Sequence, residues 1–69
     1  DLLPAYSARH GLTAREREIL ALVLEGKDNQ NIASDLMLAL GTVKAHVHNI
    51  LRKTGQASRQ ELIQDFWKE

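Results

Sequence analysis

The sequence predicts an all-α fold, a compact four-helix bundle, and three observations carry that prediction. Four segments each join an N-terminal capping residue to apolar side chains at helical spacing. No segment alternates apolar and polar residues as a half-buried strand would, and the connectors are only about three or four residues long. With 69 residues, 43% hydrophobic and 26% charged, the chain makes one domain with one small core. It has no cysteine, so neither a disulfide framework nor a cysteine zinc site adds stability, and a reducing compartment is compatible. No apolar run approaches the roughly 20 residues of a membrane span, and the N-terminus lacks a signal-peptide pattern. A soluble, cytoplasmic piece is expected.

Residues 1 to 11, which hold the only proline and no sustained period, read as a linker or N-terminal arm before a domain of residues 12 to 69. Within that arm Leu2, Leu3 and Tyr6 could form a short helical turn against the core. The first helix, about 13 to 25, opens on Thr13 and Glu16, the reciprocal pair of a capping box. Its apolar stripe is Ile19, Leu20, Val23 and Leu24, and Gly26 supplies the C-terminal cap. The second, about 29 to 36, has Asp28 as N-cap and buries Ile32, Ala33 and Leu36. In the third, about 41 to 54, the helical period puts Val43, Val47, Ile50, Leu51 and Thr54 on one side. Ala45, His48, Asn49 and Arg52 lie opposite, with Lys44 at the flank. The fourth, about 58 to 67, repeats the reciprocal cap with Ser58 and Glu61, then carries Leu62, Ile63, Phe66 and Trp67.

The formal charge is zero, but it is unevenly distributed. Residues 41 to 59 hold Lys44, Arg52, Lys53 and Arg59 and no acid, whereas the segments on either side are acidic or balanced. An exposed face built from this segment would attract a polyanion that the whole molecule would not. A helix, a short connector and a second helix that is apolar inside and basic outside form the layout of a helix-turn-helix. There the second helix enters the major groove of DNA while the first crosses the backbone. Lys44 and His48 can donate to purine acceptors, and Ala45 is small enough for close approach and contact with a thymine methyl. Arg52 and Lys53, later on the helix, suit backbone phosphate.

An ordered set of residues carries a family resemblance. Leu12-Thr13-x-Arg15-Glu16-Arg17-Glu18-Ile19-Leu20, Gly26-x-x-Asn29-x-x-Ile32-Ala33-x-x-Leu36, Thr42-Val43-Lys44-x-His46-x-x-x-Ile50-x-x-Lys53 and Ser58-Arg59 occur in sequence. Together they resemble the LuxR/NarL-type DNA-binding domain of bacterial transcription regulators, without a gap from Leu12 to about Ile63. The resemblance implies that the third helix reads bases through Lys44, Ala45 and His48. It implies backbone contacts near Asn29, Gln30, Thr42, Arg52 and Arg59. It implies a fourth helix used for dimer contact, for which Gln60, Ile63 and Trp67 offer the outer surface. The implied partners are double-stranded DNA, a second copy held weakly on DNA, RNA polymerase, and an upstream sensor or receiver domain; no cofactor is implied. Two positions depart from the family pattern: Gln30 stands where a lysine is usual, and Ala39 where a capping serine is usual. With Gly41 also in its first turn, the reading helix is expected to be frayed without DNA or capped one turn late by Thr42.

Other readings carry less. His46 and His48 point about 200 degrees apart on a helix and cannot share a metal ion. Glu16 is explained as a cap and, with Glu18, has no accompanying nucleophile motif or phosphate loop, so an enzyme is not expected. Phe66 and Trp67 read first as the edge of the core. Two alternatives stay open, a helical protein-interaction module without DNA binding and a sigma-factor-like promoter-recognition region.

Overall fold

The computed structural model describes residues 1 to 68; Glu69, the last residue of the expected domain, lies outside the described residues. Every regular element among the described residues is a helix, with α1 at Leu3–Arg9, α2 at Ala14–Leu24, α3 at Asn29–Leu36, α4 at Leu40–Thr54 and α5 at Arg59–Trp67. The four expected helices are thus present within a residue or two of their expected bounds, and a fifth short one precedes them. No helix among the described residues is long and apolar enough to cross a membrane.

The N-terminal helix forms because its proline sits where a proline belongs. Pro4 falls in the first turn of α1, where a backbone N–H has no helical partner to lose. The Leu3 N–H donates to the Asp1 carboxylate at 3.1 Å. Tyr6 is then delivered into the core at 1% exposure. Its ring meets Phe66 edge-on at 5.1 Å, and its hydroxyl donates to Asp65 Oδ2 at 2.7 Å, so α1 is fastened to α5. Burial first, and then that bond to Asp65, push the phenol well above its ordinary pKa. The short helical turn expected from Leu2, Leu3 and Tyr6 is thus present as α1, with Leu3 and Tyr6 packed inward and Leu2 exposed, although seven residues are too few to display a sustained period.

The caps fall as their residue types require. Thr13 and Glu16 make the full reciprocal box, with Glu16 N–H donating to Thr13 Oγ1 at 3.1 Å and Thr13 N–H to Glu16 Oε1 at 2.9 Å. Asp28 accepts from the Asn31 N–H at 2.8 Å. Ser58 accepts from the Glu61 N–H at 3.2 Å, but Glu61 turns its carboxylate to the Ser58 hydroxyl at 3.4 Å instead of closing the box on the backbone. Gly26 follows α2 with a φ of 88°, the left-handed position that glycine takes without strain. After α3 the same position is taken by Met37, with a φ of 57° and a side chain 91% exposed.

α4 occupies the centre, packed against both α2 and α3. Its inner residues Val43, Val47, Ile50 and Thr54 are buried, as expected, and Leu51 is half-buried. They meet Ile19, Leu20 and Val23 of α2, Ile32 and Ala33 of α3, and Leu62 and Phe66 of α5 in one core. α4 begins at Leu40 although Ala39 gives it no side-chain cap. The Thr42 and Val43 N–H groups reach the Ala39 carbonyl at 3.1 and 3.2 Å, so Thr42 lies inside the first turn and does not cap the helix late. Burial of Val43 anchors that turn where a cap is missing.

Candidate nucleic-acid interface

α3, the turn at residues 37 to 39 and α4 form the helix-turn-helix, and the side of α4 turned away from the core is the candidate surface. At 100 degrees per residue, Gly41, Lys44, Ala45, His48 and Arg52 share an arc about 100 degrees wide. All five are exposed, and α4 contains no acid. Lys44, Ala45 and His48, singled out as base readers, therefore lie together on one open face. Arg52 continues that face and reaches Asn49 Oδ1 at a long 3.4 Å. Thr42 is exposed beside it, on the turn where α4 starts. Gln30 is exposed and Asn29 half-buried on the first turn of α3.

Gly41 is the residue whose place on this face the composition of the segment hides. Its φ lies outside the left-handed region, and a Cβ added there would meet nothing within 4 Å. Neither backbone geometry nor internal packing demands glycine at this point. The available sequence signal was a helix-weakening residue on the outward arc of a helix otherwise free of glycine.

Two of the four cations in the basic segment are turned inward. Lys53 Nζ donates to Glu16 Oε1 at 2.7 Å and to the Gly11 carbonyl at 3.3 Å, tying the end of α4 to the corner between α1 and α2. Burial alone would raise the Glu16 carboxyl; the Lys53 ammonium and the Thr13 groups outweigh it and hold the carboxyl below its ordinary value. Arg59 is half-buried, donating through Nη1 to Asn29 Oδ1 at 2.7 Å and through Nη2 to the Lys27 carbonyl. The outward cations of the segment are Lys44 and Arg52.

The residues put forward for dimer contact lie apart from this face, on α5. Gln60 is exposed, Ile63 half-buried and Trp67 60% exposed, and their spacing puts them on one side of the helix. Trp67 also packs edge-on against Phe66 at 4.9 Å, so it belongs partly to the core edge.

Comparison with known proteins agrees with this architecture. Residues 10–66 match the model of the luxR family of bacterial regulatory proteins. The chain is 48% identical over 67 residues to the monoamine regulon transcriptional regulator of Klebsiella aerogenes, covering 97% of this chain and 27% of that protein. It is 43% identical over 53 residues to the HTH-type transcriptional regulator MalT of Serratia proteamaculans (strain 568), covering 77% of this chain and 6% of that protein. The chain thus spans under a third of either relative's length. With most of its length matched by the family model and its helices arranged as a helix-turn-helix, the chain belongs to the luxR family of bacterial regulatory proteins, as a helix-turn-helix domain of the transcription-regulator class.

Proposed function

We propose that the domain binds double-stranded DNA sequence-specifically to regulate bacterial transcription, with α4 in the major groove. One observation carries this reading: α4 buries its apolar side in the core and leaves an exposed, acid-free stripe of Gly41, Lys44, Ala45, His48 and Arg52. A groove lined by bases and edged by phosphates complements that stripe in shape and charge. Lys44 and His48 donate to purine acceptors, and Ala45 lies close to the base edges. Thr42 and Arg52 on α4, with Asn29 and Gln30 on α3, contact the backbone. Lys53 and Arg59 support the scaffold from within.

In the same proposal, α5 supplies a weak contact between two copies on DNA through Gln60, Ile63 and Trp67. Linking two copies through adjacent half-sites raises their effective concentration, so a contact too small for a stable free dimer suffices there. RNA polymerase and an upstream sensor or receiver domain belong to the proposal as well, supported by relatives that are named regulators and are several times longer than this chain. DNA binding in a bacterium gives the domain a cytoplasmic site of action.

The test is a fluorescence anisotropy titration against random duplex over a range of salt, followed by the same titration on a duplex selected for tight binding. With Lys44 and Arg52 as outward cations, log K against log salt should fall with a slope of about two, at nearly one unit per neutralised phosphate. Lys44→Ala should reduce the preference for the selected duplex by about 1–3 kcal/mol, while Arg52→Ala weakens both duplexes alike. A slope indistinguishable from zero would favour a protein-interaction module instead.

A further inference from the structure

The bond between Arg59 and Asn29 joins two residues that the family resemblance marks separately for the DNA backbone. It spans 30 positions of sequence, from the first turn of α5 to the first turn of α3. The guanidinium also donates to the Lys27 carbonyl, so its two terminal nitrogens grip α3 on both sides of its N-cap, Asp28. A planar fork holds such a pair of acceptors in one geometry, which a lysine ammonium does not. The consequence for Asn29 is specific. Its amide oxygen is taken by Arg59 at 2.7 Å, which leaves the NH2 end for an outside acceptor. Phosphate oxygens accept and never donate, so this orientation is the productive one.

We propose that Arg59 is a positioning residue for DNA binding, fixing the Asn29 amide and the capped first turn of α3 so that Asn29 offers a donor to phosphate. Arg59 then acts through Asn29 and makes no phosphate contact of its own. The inference rests on the DNA-binding reading above.

The experiment is a double-mutant cycle by anisotropy, using a duplex that the unmodified domain binds, repeated over a salt series. The proteins are Arg59→Gln, Arg59→Lys, Asn29→Ala and the combination of Arg59→Gln with Asn29→Ala. Each single variant should weaken binding about five-fold, the worth of one ordinary hydrogen bond, and the combination should be no weaker than Asn29→Ala. The salt slope of Arg59→Gln should match the unmodified domain. Arg59→Lys should be as weak as Arg59→Gln, because the charge remains but the fork is gone. A slope lower by about 0.9 with additive losses would make Arg59 a direct phosphate contact and overturn the proposal. Unchanged binding in Arg59→Gln, or near-normal binding in Arg59→Lys, would overturn it too. Should Arg59→Gln lose its helical circular dichroism, Arg59→Lys combined with Asn29→Ala completes the same cycle. Failure of the unmodified domain to bind any duplex at low salt removes the DNA-binding reading itself, an outcome visible before any variant is compared.

Discussion

Replacing Glu16 with glutamine should cost the domain about 1 kcal/mol at neutral pH and should remove part of its sensitivity to acid. The Glu16 side chain is only 5% exposed, and one of its oxygens accepts both from Lys53 Nζ at 2.7 Å and from the Thr13 N–H at 2.9 Å. Glutamine keeps an oxygen for the cap and loses the charge. A charge-assisted hydrogen bond contributes about 1.5–3 kcal/mol and a neutral one about 0.5–1.5, so the difference is about 1 kcal/mol. Lys53 is 28% exposed, and water screening holds the value towards the low side of that range. Alanine also removes the oxygen that accepts from the Thr13 N–H, adding about 1 kcal/mol, for a total of about 2 kcal/mol. With a urea m-value of about 1 kcal/mol/M for so small a domain, the unfolding midpoint should fall by about 1 M for Glu16→Gln and by about twice that for Glu16→Ala.

The pH dependence follows from the same geometry. The folded carboxyl is held below 4.5, its ordinary value. Its contribution is therefore fully present above that value and is lost as pH falls through the folded value. Urea titrations followed by circular dichroism should show the unmodified domain and Glu16→Gln separated at neutral pH and converging in acid. Equal stability at neutral pH, or a gap that persists unchanged at low pH, would refute the assignment of the stabilisation to the ion pair.

Three further outcomes test other parts of the fold and site. Tyr6→Phe removes the hydroxyl that donates to Asp65 at 2.7 Å and should lower stability by about 1 kcal/mol; a melting temperature unchanged from the unmodified protein would mean that α1 is not fastened by that bond. Gly41→Ala should raise stability by up to about 1 kcal/mol, because helix propensity favours alanine and the added methyl has open space. The same methyl, at the centre of the outward stripe, should weaken DNA binding, and unchanged affinity in anisotropy would mean that close approach does not depend on the glycine. Ile63→Asp should abolish cooperative filling of a duplex with two half-sites while leaving one-site affinity nearly intact. Independent filling of both half-sites by the unmodified domain, in a gel-shift titration, would remove α5 as a contact between copies.

Features that depend on local chemistry and period are legible in the chain before it folds. Thr13, Asp28 and Ser58 cap their helices because a side-chain oxygen can reach an N–H three residues on, whatever the rest of the chain does. The 3.6-residue period put Val43, Val47 and Ile50 inside and Lys44, Ala45, His48 and Arg52 outside, and with them the acid-free face. Tertiary structure decided what depends on partners distant along the chain. Lys53 and Arg59 share an acid-free segment and a charge with Lys44 and Arg52, yet Glu16 lies 37 residues from Lys53 and Asn29 lies 30 from Arg59, and only packing brings those acceptors within reach. The N-terminal helix was decided in the same way. Leu3 and Tyr6 lie too few residues apart to display a period, and α1 gains its place when Tyr6 closes against Phe66 and Asp65 at the other end of the chain. Hydrogen bonds and burial act through distance in space, so a side chain's exposure to DNA or capture by the protein is fixed only when the helices have packed.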